Sequence, residues 1–340
     1  MGEPNFLVVR LGSLGDIVHT FPAVAALRES FPAARIVWIT HPRWKSLVES
    51  SALASKIETV ETRSLSSVRE AVCQLRKSHW DASIDYQGLW KSAGLPFLGG
   101  VKRRIGFSSE TIREFGVPIL YTERVRACNA HIAEQNGELS VRAGANRGTA
   151  PVSLQIPEQD QSALSAYLRE HGVDRYIALN PGGGWRSKCW PAERFGALCQ
   201  KIHESLRFPC IVNVGPGEED LAAAVSAASG EARPLVYKGS LGQLMALLRS
   251  AVCVIGGDTG PLHLAVALGT RTVALFGPTD PARNGPYRGP QPPATGRDIV
   301  LRAPNVRTTH KRGSQPDASM LAIEVDAVFD VVRRVAGERT

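Results

Sequence analysis

Polar residues able to do chemistry stand where short apolar segments of the chain end. Residues 256–263 read GGDTGPLH and directly follow the apolar segment 251–255, which is typical of a buried parallel strand. The glycines would let backbone N–H groups approach a ligand, and a helix predicted at 262–268 would add the positive end of its dipole. An ordinary capped turn is the alternative, but it leaves unexplained a histidine in the first helical turn beside an acid. The candidates for binding an anionic group here are Asp258, Thr259, Gly260 and His263.

A carboxylate stands at the first predicted strand-to-helix turn. Residues 12–19 read GSLGDIVH after the apolar segment 6–9, a spacing that differs from the dinucleotide fingerprint G-x-G-x-x-G. Asp16 in such a turn could remove a proton from an incoming hydroxyl, and His19 follows about one helical turn later. Asp16 could instead only cap the helix, an alternative that the residues alone leave open.

A glycine-rich loop follows the predicted strand 176–179. Residues 180–191 read NPGGGWRSKCWP, in which Gly183 and Gly184 free the backbone and Lys188 supplies positive charge. A cation beside accessible backbone N–H groups suits a diphosphate, so we predict that this loop binds one. A flexible surface loop is the alternative.

Acidic residues follow another predicted strand. Residues 214–220 read VGPGEED. One of these acids could hold the hydroxyls of a ribose, as acids near strands of this kind often do. They could equally complement the dipole of the helix that follows, and the residues do not decide between these two interpretations.

The first half of the chain carries cations that suit an anionic acceptor. Residues 85–92 read DYQGLWKS, so that Lys91 stands shortly after the end of a predicted strand. Arg104 follows at the start of the next predicted strand. A solvated loop whose charges occur by chance is the alternative.

The elements that must position these residues alternate between strand and helix. In both halves, short apolar segments of strand character are separated by helical patterns, which predicts parallel, doubly wound sheets. The predicted strands are 6–9, 36–40, 57–60, 82–86 and 104–107 in the first half, and 176–179, 210–214, 235–237, 252–255 and 272–276 in the second. The predicted helices are one from the turn at 12–16 to near residue 31, and 67–77, 192–206, 218–228, 241–250, 262–268 and 325–335.

This rhythm breaks at the polar segment 144–150 and then restarts. We therefore predict an α/β protein with two Rossmann-like domains, residues 1–165 and 166–340, which face each other across a cleft that holds the site. The amphipathic last helix could pack back on the first domain. The Pro- and Gly-rich segment 285–296 is predicted to be a loop near the cleft.

Composition is typical of a globular protein, and its basic balance indicates either an anionic partner or a solvated surface with a basic bias. The 340 residues are 43% hydrophobic and 21% charged, with a formal net charge of +8. The sequence has no arginine-rich arm, zinc-finger spacing or aromatic RNA-binding signature, so nucleic acid is not expected as a partner. Six cysteines are scattered without a C-x-x-C pair, which indicates a reducing compartment. No D-x-D pair or histidine cluster predicts a metal site.

The cellular location follows from what the sequence lacks. The first residues have neither the cationic nor the apolar region of a signal peptide, and no stretch approaches 18 apolar residues. We expect a cytoplasmic protein without a spanning helix, and attachment to a membrane surface stays open.

With these residues in place, the chain resembles the ADP-heptose:lipopolysaccharide heptosyltransferases, which are inverting glycosyltransferases of the GT-B fold (glycosyltransferase family 9). The most specific segments are 15–23 (GDIVHTFPA) and 257–263 (GDTGPLH). Segments 84–93 (IDYQGLWKSA) and 104–107 (RIGF) are most similar to heptosyltransferase I, which adds the first heptose to the Kdo region of the inner core. The resemblance covers nearly the whole chain.

The resemblance implies a role for each candidate residue. Asp16 matches the family's catalytic base, and Lys188 matches the lysine that contacts the donor diphosphate. The other donor-binding candidates are Ser13, Gly183, Gly184, Glu218 or Glu219, Asp258, Thr259, Gly260 and His263. The acceptor-binding candidates are Lys91 and Arg104, which the resemblance indicates, and His19, which follows Asp16. Glycines at 183 and 184 replace threonines that heptosyltransferase I often has, which leaves the donor sugar and the subgroup open.

The resemblance also implies an activity. The first domain would bind a Kdo-lipid A-like acceptor and the second ADP-heptose, at the cytoplasmic face of the inner membrane, with no cofactor and no metal ion. A different nucleotide sugar or acceptor is the main alternative. A non-catalytic nucleotide-sugar binding protein would have no use for Asp16, and a nicotinamide-dependent dehydrogenase would need the G-x-G-x-x-G turn that neither half has.

Overall fold

The computed structural model describes residues 3–112, 114–289, 297–309 and 313–337. These residues form two compact units. The first holds the described residues up to Gln155, and the second holds the others apart from Gly289. Each unit has its own parallel sheet, flanking helices and apolar core.

The first unit is built on six parallel strands in the order β3-β2-β1-β4-β5-β6. Its strands are β1 (Asn5–Val9), β2 (Arg35–Thr40), β3 (Lys56–Thr59), β4 (Ala82–Asp85), β5 (Arg104–Phe107) and β6 (Glu123–Val125). Its helices are α1 (Leu14–Val18), α2 (Phe21–Ser30), α3 (Lys45–Ser50), α4 (Leu65–Arg76), α5 (Trp90–Leu98) and α6 (Ile132–Ala143), with short 3-10 turns at Pro42–Trp44 and Val117–Leu120.

The second unit has six parallel strands in the order β12-β11-β10-β7-β8-β9. Its strands are β7 (Ile177–Asn180), β8 (Cys210–Asn213), β9 (Leu235–Tyr237), β10 (Cys253–Gly257), β11 (Thr272–Phe276) and β12 (Asp298–Arg302). Its helices are α7 (Glu158–Glu170), α8 (Ala192–Leu206), α9 (Glu219–Ala227), α10 (Leu241–Ser250), α11 (Gly260–Ala267), α12 (Pro281–Asn284), α13 (Ala318–Leu321) and α14 (Val325–Gly337), with 3-10 turns at Arg186–Lys188 and Gly230–Ala232.

The two sheets have the same strand order when each is numbered from its own first strand. In each, the first strand lies beside the fourth, so that β1 pairs with β4 and β7 pairs with β10. The chain leaves these neighbouring strands in opposite directions, and open α/β sheets bind ligands at the carboxyl edge of this switch point. The segments with Asp16 and Lys91 follow β1 and β4, and those with Lys188 and Asp258 follow β7 and β10. The fold therefore brings each pair of candidate segments to one edge of its sheet.

The strands that support these edges are apolar on both faces. Leu7, Val8 and Val9 of β1 are fully buried, as are Val254 and Ile255 of β10. A parallel sheet covered by helices on both sides buries its strands completely, which explains the continuous apolar runs. The edges where the candidates lie are thus held by the most buried parts of each unit.

The last helix packs within the second unit. An apolar stripe of α14, formed by Val328, Val331, Val332 and Val335, is buried in the same core as Phe195 of α8. The amphipathic pattern of this helix also allowed packing against the first domain. Its apolar face is instead used by its own unit.

The α/β fold with doubly wound parallel sheets is confirmed, and every predicted strand is present within about two residues. Strands β6 and β12, which lie at sheet edges and are only partly buried, were not predicted, and neither were the helices α3, α5, α6, α7, α12 and α13. Helix α7 spans the predicted domain boundary at residue 165. The helix predicted from 12–16 to residue 31 is two helices, since Pro22 lies in the first turn of α2 and starts a new one.

The predicted loop at 285–296 lies partly outside the described residues, and its described part, 285–289, forms neither helix nor strand. No helix in the described part of the chain combines the length and the apolar character that a membrane crossing needs. In the ranges given above, no cluster of three or more His, Cys, Asp or Glu side chains is placed to hold a metal ion.

Candidate functional site

The carboxylate of Asp16 lies at the carboxyl edge of β1, at the start of α1. Its Oδ2 accepts hydrogen bonds from the Ser13 backbone N–H at 3.0 Å and from the Ser13 hydroxyl at 2.8 Å. Its Oδ1 lies 2.8 Å from Nη2 of Arg10, and the Asp16 side chain is 46% exposed. Asp16 therefore caps its helix, as the alternative interpretation proposed, and it also keeps a carboxylate that a ligand can reach.

Arg10 is the residue that sequence reasoning missed at this edge. It directly follows β1, and its side chain is only 8% exposed. One guanidinium nitrogen donates to the carbonyl of Tyr86, the other pairs with Asp16, and Nε is buried with no hydrogen-bond partner among the described residues. A buried guanidinium fixed on a carbonyl holds the carboxylate in one place. The sequence pattern that could have indicated Arg10 is a basic residue directly after a buried strand.

The segment after β4 is organised by a buried carboxylate, Asp85. Its oxygens accept hydrogen bonds from the hydroxyls of Tyr121 at 2.7 Å and Ser92 at 2.9 Å, and from the backbone N–H of Gln87 at 2.9 Å. Burial raises the pKa of Asp85, and these hydrogen bonds oppose the rise. The Tyr121 ring reaches Asp85 only because residue 106 is glycine, since a Cβ there would lie 2.3 Å from Tyr121 Cζ. The loop that precedes Lys91 is therefore fixed.

The three acceptor-binding candidates are placed differently. Lys91 is exposed in the first turn of α5, on the segment that follows β4. His19 is buried, and its ring packs edge-on against that of His131 with the centroids 5.4 Å apart. Lys91 is thus the acceptor candidate that solvent can reach at this edge.

Arg104 is not brought to that edge. It is the first residue of β5, so it lies at the amino end of a parallel strand, whereas ligands bind beyond the carboxyl ends. Its guanidinium donates to the carbonyl oxygens of Leu120 at 2.6 Å and Val101 at 2.5 Å and stacks over the Phe97 ring. These contacts give Arg104 a structural task, which is the physical reason for leaving it out of the site.

In the second unit, Asp258 lies between two basic side chains at the end of β10. Its Oδ1 is 2.9 Å from Nε2 of His263, and its Oδ2 is 3.8 Å from Nζ of Lys188. Burial by itself raises the pKa of Asp258, but the hydrogen bond with His263 and the charges of Lys188 and His263 outweigh it and lower the pKa to about 2. The side chains of Asp258, His263 and Lys188 are 9%, 4% and 14% exposed, so this is an enclosed group of charges.

Backbone donors surround this group. Helix α11 begins at Gly260, with Thr259 as its N-cap residue, so its first N–H groups lie beside Asp258. The Thr259 hydroxyl accepts a hydrogen bond from Nδ2 of Asn180 at 3.1 Å, and Asn213 in turn donates to Asn180 at 2.8 Å. Asn180 and Asn213 end β7 and β8, and sequence reasoning gave them no role. The sequence pattern that could have indicated them is a polar residue at the end of each apolar strand.

The two acidic candidates after β8 differ sharply. The carboxylate of Glu218 accepts the Gly215 N–H at 2.9 Å and lies over Gly182, where a Cβ would be only 2.1 Å from Glu218 Oε1. Glu219 is exposed and pairs with Lys238 at 2.6 Å. The structure thus places Glu218, and not Glu219, against the glycine-rich loop.

In the glycine-rich loop, Gly184 is exposed and Gly183 packs close to Thr259. A Cβ on Gly183 would lie 3.0 Å from Cγ2 of Thr259, and a Cβ on Gly184 would meet nothing within 4 Å. Lys188 ends the short turn that follows, with Nζ 4.9 Å from the centre of the Trp185 ring. Ser13, the remaining donor-binding candidate, belongs to the first unit and is engaged with Asp16.

Chemically, the edge of the first unit offers an accessible carboxylate with a fixed orientation. The edge of the second unit offers a lysine, a helix N-terminus and a free backbone loop, all of which suit phosphate groups. An acid beside the glycine loop can accept hydrogen bonds from sugar hydroxyls.

Comparison with known proteins gives consistent matches. The family model described as glycosyltransferase family 9 (heptosyltransferase) matches residues 68–307. Lipopolysaccharide heptosyltransferase 1 of Pseudomonas aeruginosa is 26% identical over 306 residues, which cover 83% of this chain and 81% of that protein.

Solved structures of similar fold extend over the whole chain. The glycosyl transferase family 9 structure from Veillonella parvula has a TM-score of 0.84 at 22% identity. The match covers 100% of this chain and 99% of the Veillonella chain. E. coli heptosyltransferase WaaC with ADP has a TM-score of 0.75 at 23% identity, and the match covers 98% of this chain and 100% of the WaaC chain. The fold is GT-B, as predicted.

Proposed function

We propose that this chain, which belongs to glycosyltransferase family 9 (heptosyltransferase), transfers heptose from ADP-heptose to the Kdo-bearing inner-core region of lipopolysaccharide. The proposed reaction is a single displacement that inverts the anomeric carbon. The proposal rests on one observation: an accessible, oriented carboxylate stands at the switch point of one sheet, and an enclosed cationic group stands at the switch point of the other.

Asp16 is proposed as the base. A carboxylate that accepts the proton of an attacking hydroxyl must be reachable, and the Asp16 side chain is about half exposed. The hydroxyl oxygen forms its bond to the anomeric carbon while the bond from that carbon to the ADP oxygen breaks, and the proton passes to Asp16. Arg10 holds the carboxylate in place for this step.

The second unit is proposed to bind the donor and stabilise the departing ADP. Lys188 and the first N–H groups of α11 would face the negative charge that develops on the leaving phosphate, a contribution of roughly 3–4 kcal/mol for each good donor. Glu218 would accept hydrogen bonds from the ribose, and Asp258 would meet the sugar and keep Lys188 and His263 in place. No metal ion and no cofactor take part in the proposed step.

The partners follow from the same proposal. Lys91, exposed at the edge of the first unit, would attract the carboxylates and phosphates of a Kdo-lipid A-like acceptor. We place the enzyme in the cytoplasm, in peripheral contact with the cytoplasmic face of the inner membrane, where such an acceptor would be reached.

The experiment is ADP release from ADP-heptose, with and without a Kdo-bearing lipid A acceptor and in the presence of EDTA. Acceptor-dependent release that survives EDTA is the expected result. Release that needs an added divalent metal would contradict the metal-free step. Binding of ADP without release from ADP-heptose would contradict the proposed donor or acceptor, and other ADP-sugars would then be compared.

A further inference from the structure

The surface of α5 exposes large apolar side chains that a water-soluble helix normally buries. The helix reads WKSAGLPFL, and Trp90, Phe97 and Leu98 are each about half exposed. The neighbouring turn adds Phe115, which is 99% exposed, and Ile119, which is 71% exposed. Single exposed apolar residues are ordinary, whereas a cluster of them marks an interaction site. We call Trp90, Phe97, Leu98, Phe115 and Ile119 the α5 surface.

These side chains belong to one continuous structure. The Trp90 backbone N–H donates to a Glu114 carboxylate oxygen at 2.8 Å, and a Cβ on Gly116 would lie 3.0 Å from the Trp90 ring. The Ile119 N–H donates to the Gly116 carbonyl at 3.1 Å. The turn with Phe115 and Ile119 is therefore fixed beside the start of α5.

Cations border the α5 surface. The Arg104 guanidinium lies 5.4 Å from the centre of the Phe97 ring, and Arg76 donates to the Leu98 carbonyl at 2.9 Å. Arg124 donates to the Pro118 carbonyl at 2.9 Å, beside the turn with Ile119, and Lys91 is exposed on α5 itself. Aromatic and aliphatic side chains ringed by Lys and Arg are the combination that binds the interface of an anionic bilayer.

We propose that the α5 surface docks the first unit on an anionic lipid bilayer, with Trp90, Phe97, Leu98, Phe115 and Ile119 entering the headgroup region. This inference rests on the proposed function, because it supplies the route to a lipid-linked acceptor. A second copy of the chain is a poorer occupant, since a two-fold interface would set these cations against their own copies.

The position of the α5 surface suits this task. Helix α5 begins a few residues after Asp85, which ends β4, and β4 lies beside β1, whose following loop carries Asp16. Gln87 of the connecting segment accepts the Leu11 N–H at 2.8 Å, which ties that segment to the loop with Asp16. The Trp90 end of the α5 surface therefore lies on the side of the edge with Asp16, while Phe97 and Leu98 lie toward the amino ends of the strands, beside Arg104.

The test is co-sedimentation of the full chain with vesicles of phosphatidylglycerol and phosphatidylcholine. The double variant Phe115→Ser/Ile119→Ser removes the two most exposed apolar groups of the turn and is expected to bind at least about tenfold more weakly. The conservative variant Phe115→Trp/Ile119→Leu should bind like the wild type. Leu65→Ser, which alters an 89% exposed leucine on α4, is the matched control and should also bind normally.

The outcomes separate the proposals. Equal vesicle binding by the double variant and the wild type would overturn the docking surface, as would a concentration-dependent dimer that the double variant abolishes. Turnover with a deacylated, water-soluble acceptor should be the same for the double variant and the wild type. Loss of that turnover in the wild type itself would count against the proposed function and would leave vesicle binding to be judged separately.

Discussion

Asp16 and Asp258 both stand at the carboxyl edge of a central strand, in sheets of the same strand order, but in opposite surroundings. The Asp16 side chain is 46% exposed and contacts one cation, while that of Asp258 is 9% exposed and lies between Lys188 and His263. The shared topology places an acid near each switch point, and the loops decide what that acid can do. One edge is open to a reactant and the other is already enclosed.

The difference extends to the groups behind each acid. In the first unit the partner of the acid, Arg10, is buried, so the carboxylate is the outermost group of the pair. In the second unit all three charged side chains are largely buried together. An enclosed group keeps its arrangement before a ligand arrives, which is what electrostatic stabilisation of a leaving group requires. The two arrangements suit the roles of the proposed function, proton transfer at the first unit and charge stabilisation at the second.

Asp16→Asn is expected to have the largest effect. The amide keeps the size of the side chain and can still accept from Ser13, but it cannot take a proton. We expect transfer to fall about a thousandfold, within the range for loss of a general base, while ADP affinity changes by no more than about threefold. The measurement is acceptor-dependent ADP release together with ADP binding by calorimetry. Substantial turnover by the variant would show that Asp16 is not the base. The two edges would then not differ in the way proposed.

Lys188→Met tests the enclosed side. Loss of the ammonium removes one of the two basic side chains beside Asp258 and, under the proposed function, the charge that would face the leaving phosphate. We expect kcat/KM to fall about a hundredfold, as for removal of one good oxyanion donor, with weaker ADP binding as well. Lys238→Met is the control, because that lysine is exposed in the same unit and pairs with Glu219. Equal behaviour of the two variants would show that the enclosed lysine has no special task.

Asp258→Asn tests the electrostatics of the same group. The folded-state pKa of about 2 lies below the value of about 3.9 expected for an unfolded chain, so the unfolded chain binds more protons between these two pH values. The contribution, roughly 2–3 kcal/mol of unfolding free energy, is fully present above about pH 5 and is lost progressively as the pH falls through 2. Urea unfolding at about pH 6 and about pH 3 should show roughly half of this loss in the wild type, about 1 kcal/mol, and none of it in the variant.

The control for this experiment is Asp220→Asn, which alters an exposed aspartate in the first turn of α9. It should keep the acid dependence of the wild type. An Asp258→Asn variant that loses as much stability on acidification as the wild type would show that Asp258 is not held ionised by its neighbours.

The two edges also show what could be read from the sequence. Asp16, Lys188 and Asp258 were predictable because each polar residue follows an apolar run, and the ends of parallel strands share one edge. Arg104 was predicted to contact the acceptor, and its position at the start of a strand was predicted correctly. It begins a strand, and the start of a parallel strand lies at the opposite edge from the ligand.

Other contacts could not be predicted from local patterns. The hydrogen bonds from Asn213 to Asn180 and from Asn180 to Thr259 join the ends of β8, β7 and β10, so they depend on the strand order. The hydrogen bond from Tyr121 to Asp85 likewise joins residues 36 positions apart and needs the glycine at 106. Such contacts are set by tertiary packing, which spacing along the chain does not encode.

Arg10→Met tests whether the open edge depends on its buried cation. Without the guanidinium, Asp16 keeps its contacts with Ser13 but loses the ion pair that fixes its other oxygen. We expect kcat to fall about tenfold with KM nearly unchanged, because the base is misplaced while the substrates still bind. Steady-state kinetics with both substrates gives this split. Arg10→Lys, which keeps a charge, should recover part of kcat, and a change confined to KM would contradict a positioning role.

The variants Glu218→Gln and Glu219→Gln test which acid of the second unit contacts the ribose, and we expect them to have the smallest effect. Glu218 lies over the glycine-rich loop at Gly182, whereas Glu219 pairs with Lys238 in solvent. Replacing the carboxylate of Glu218 by an amide weakens the acceptor of ribose hydroxyls, so ADP affinity should fall about fivefold, an effect of about 1 kcal/mol. Glu219→Gln should leave it unchanged, because an exposed ion pair contributes little. Calorimetric titration with ADP and with the free diphosphate separates ribose from phosphate contacts. If both variants lose the same affinity, or if the loss at Glu218 is equal for diphosphate alone, then the acid acts on the loop backbone and not on the ribose.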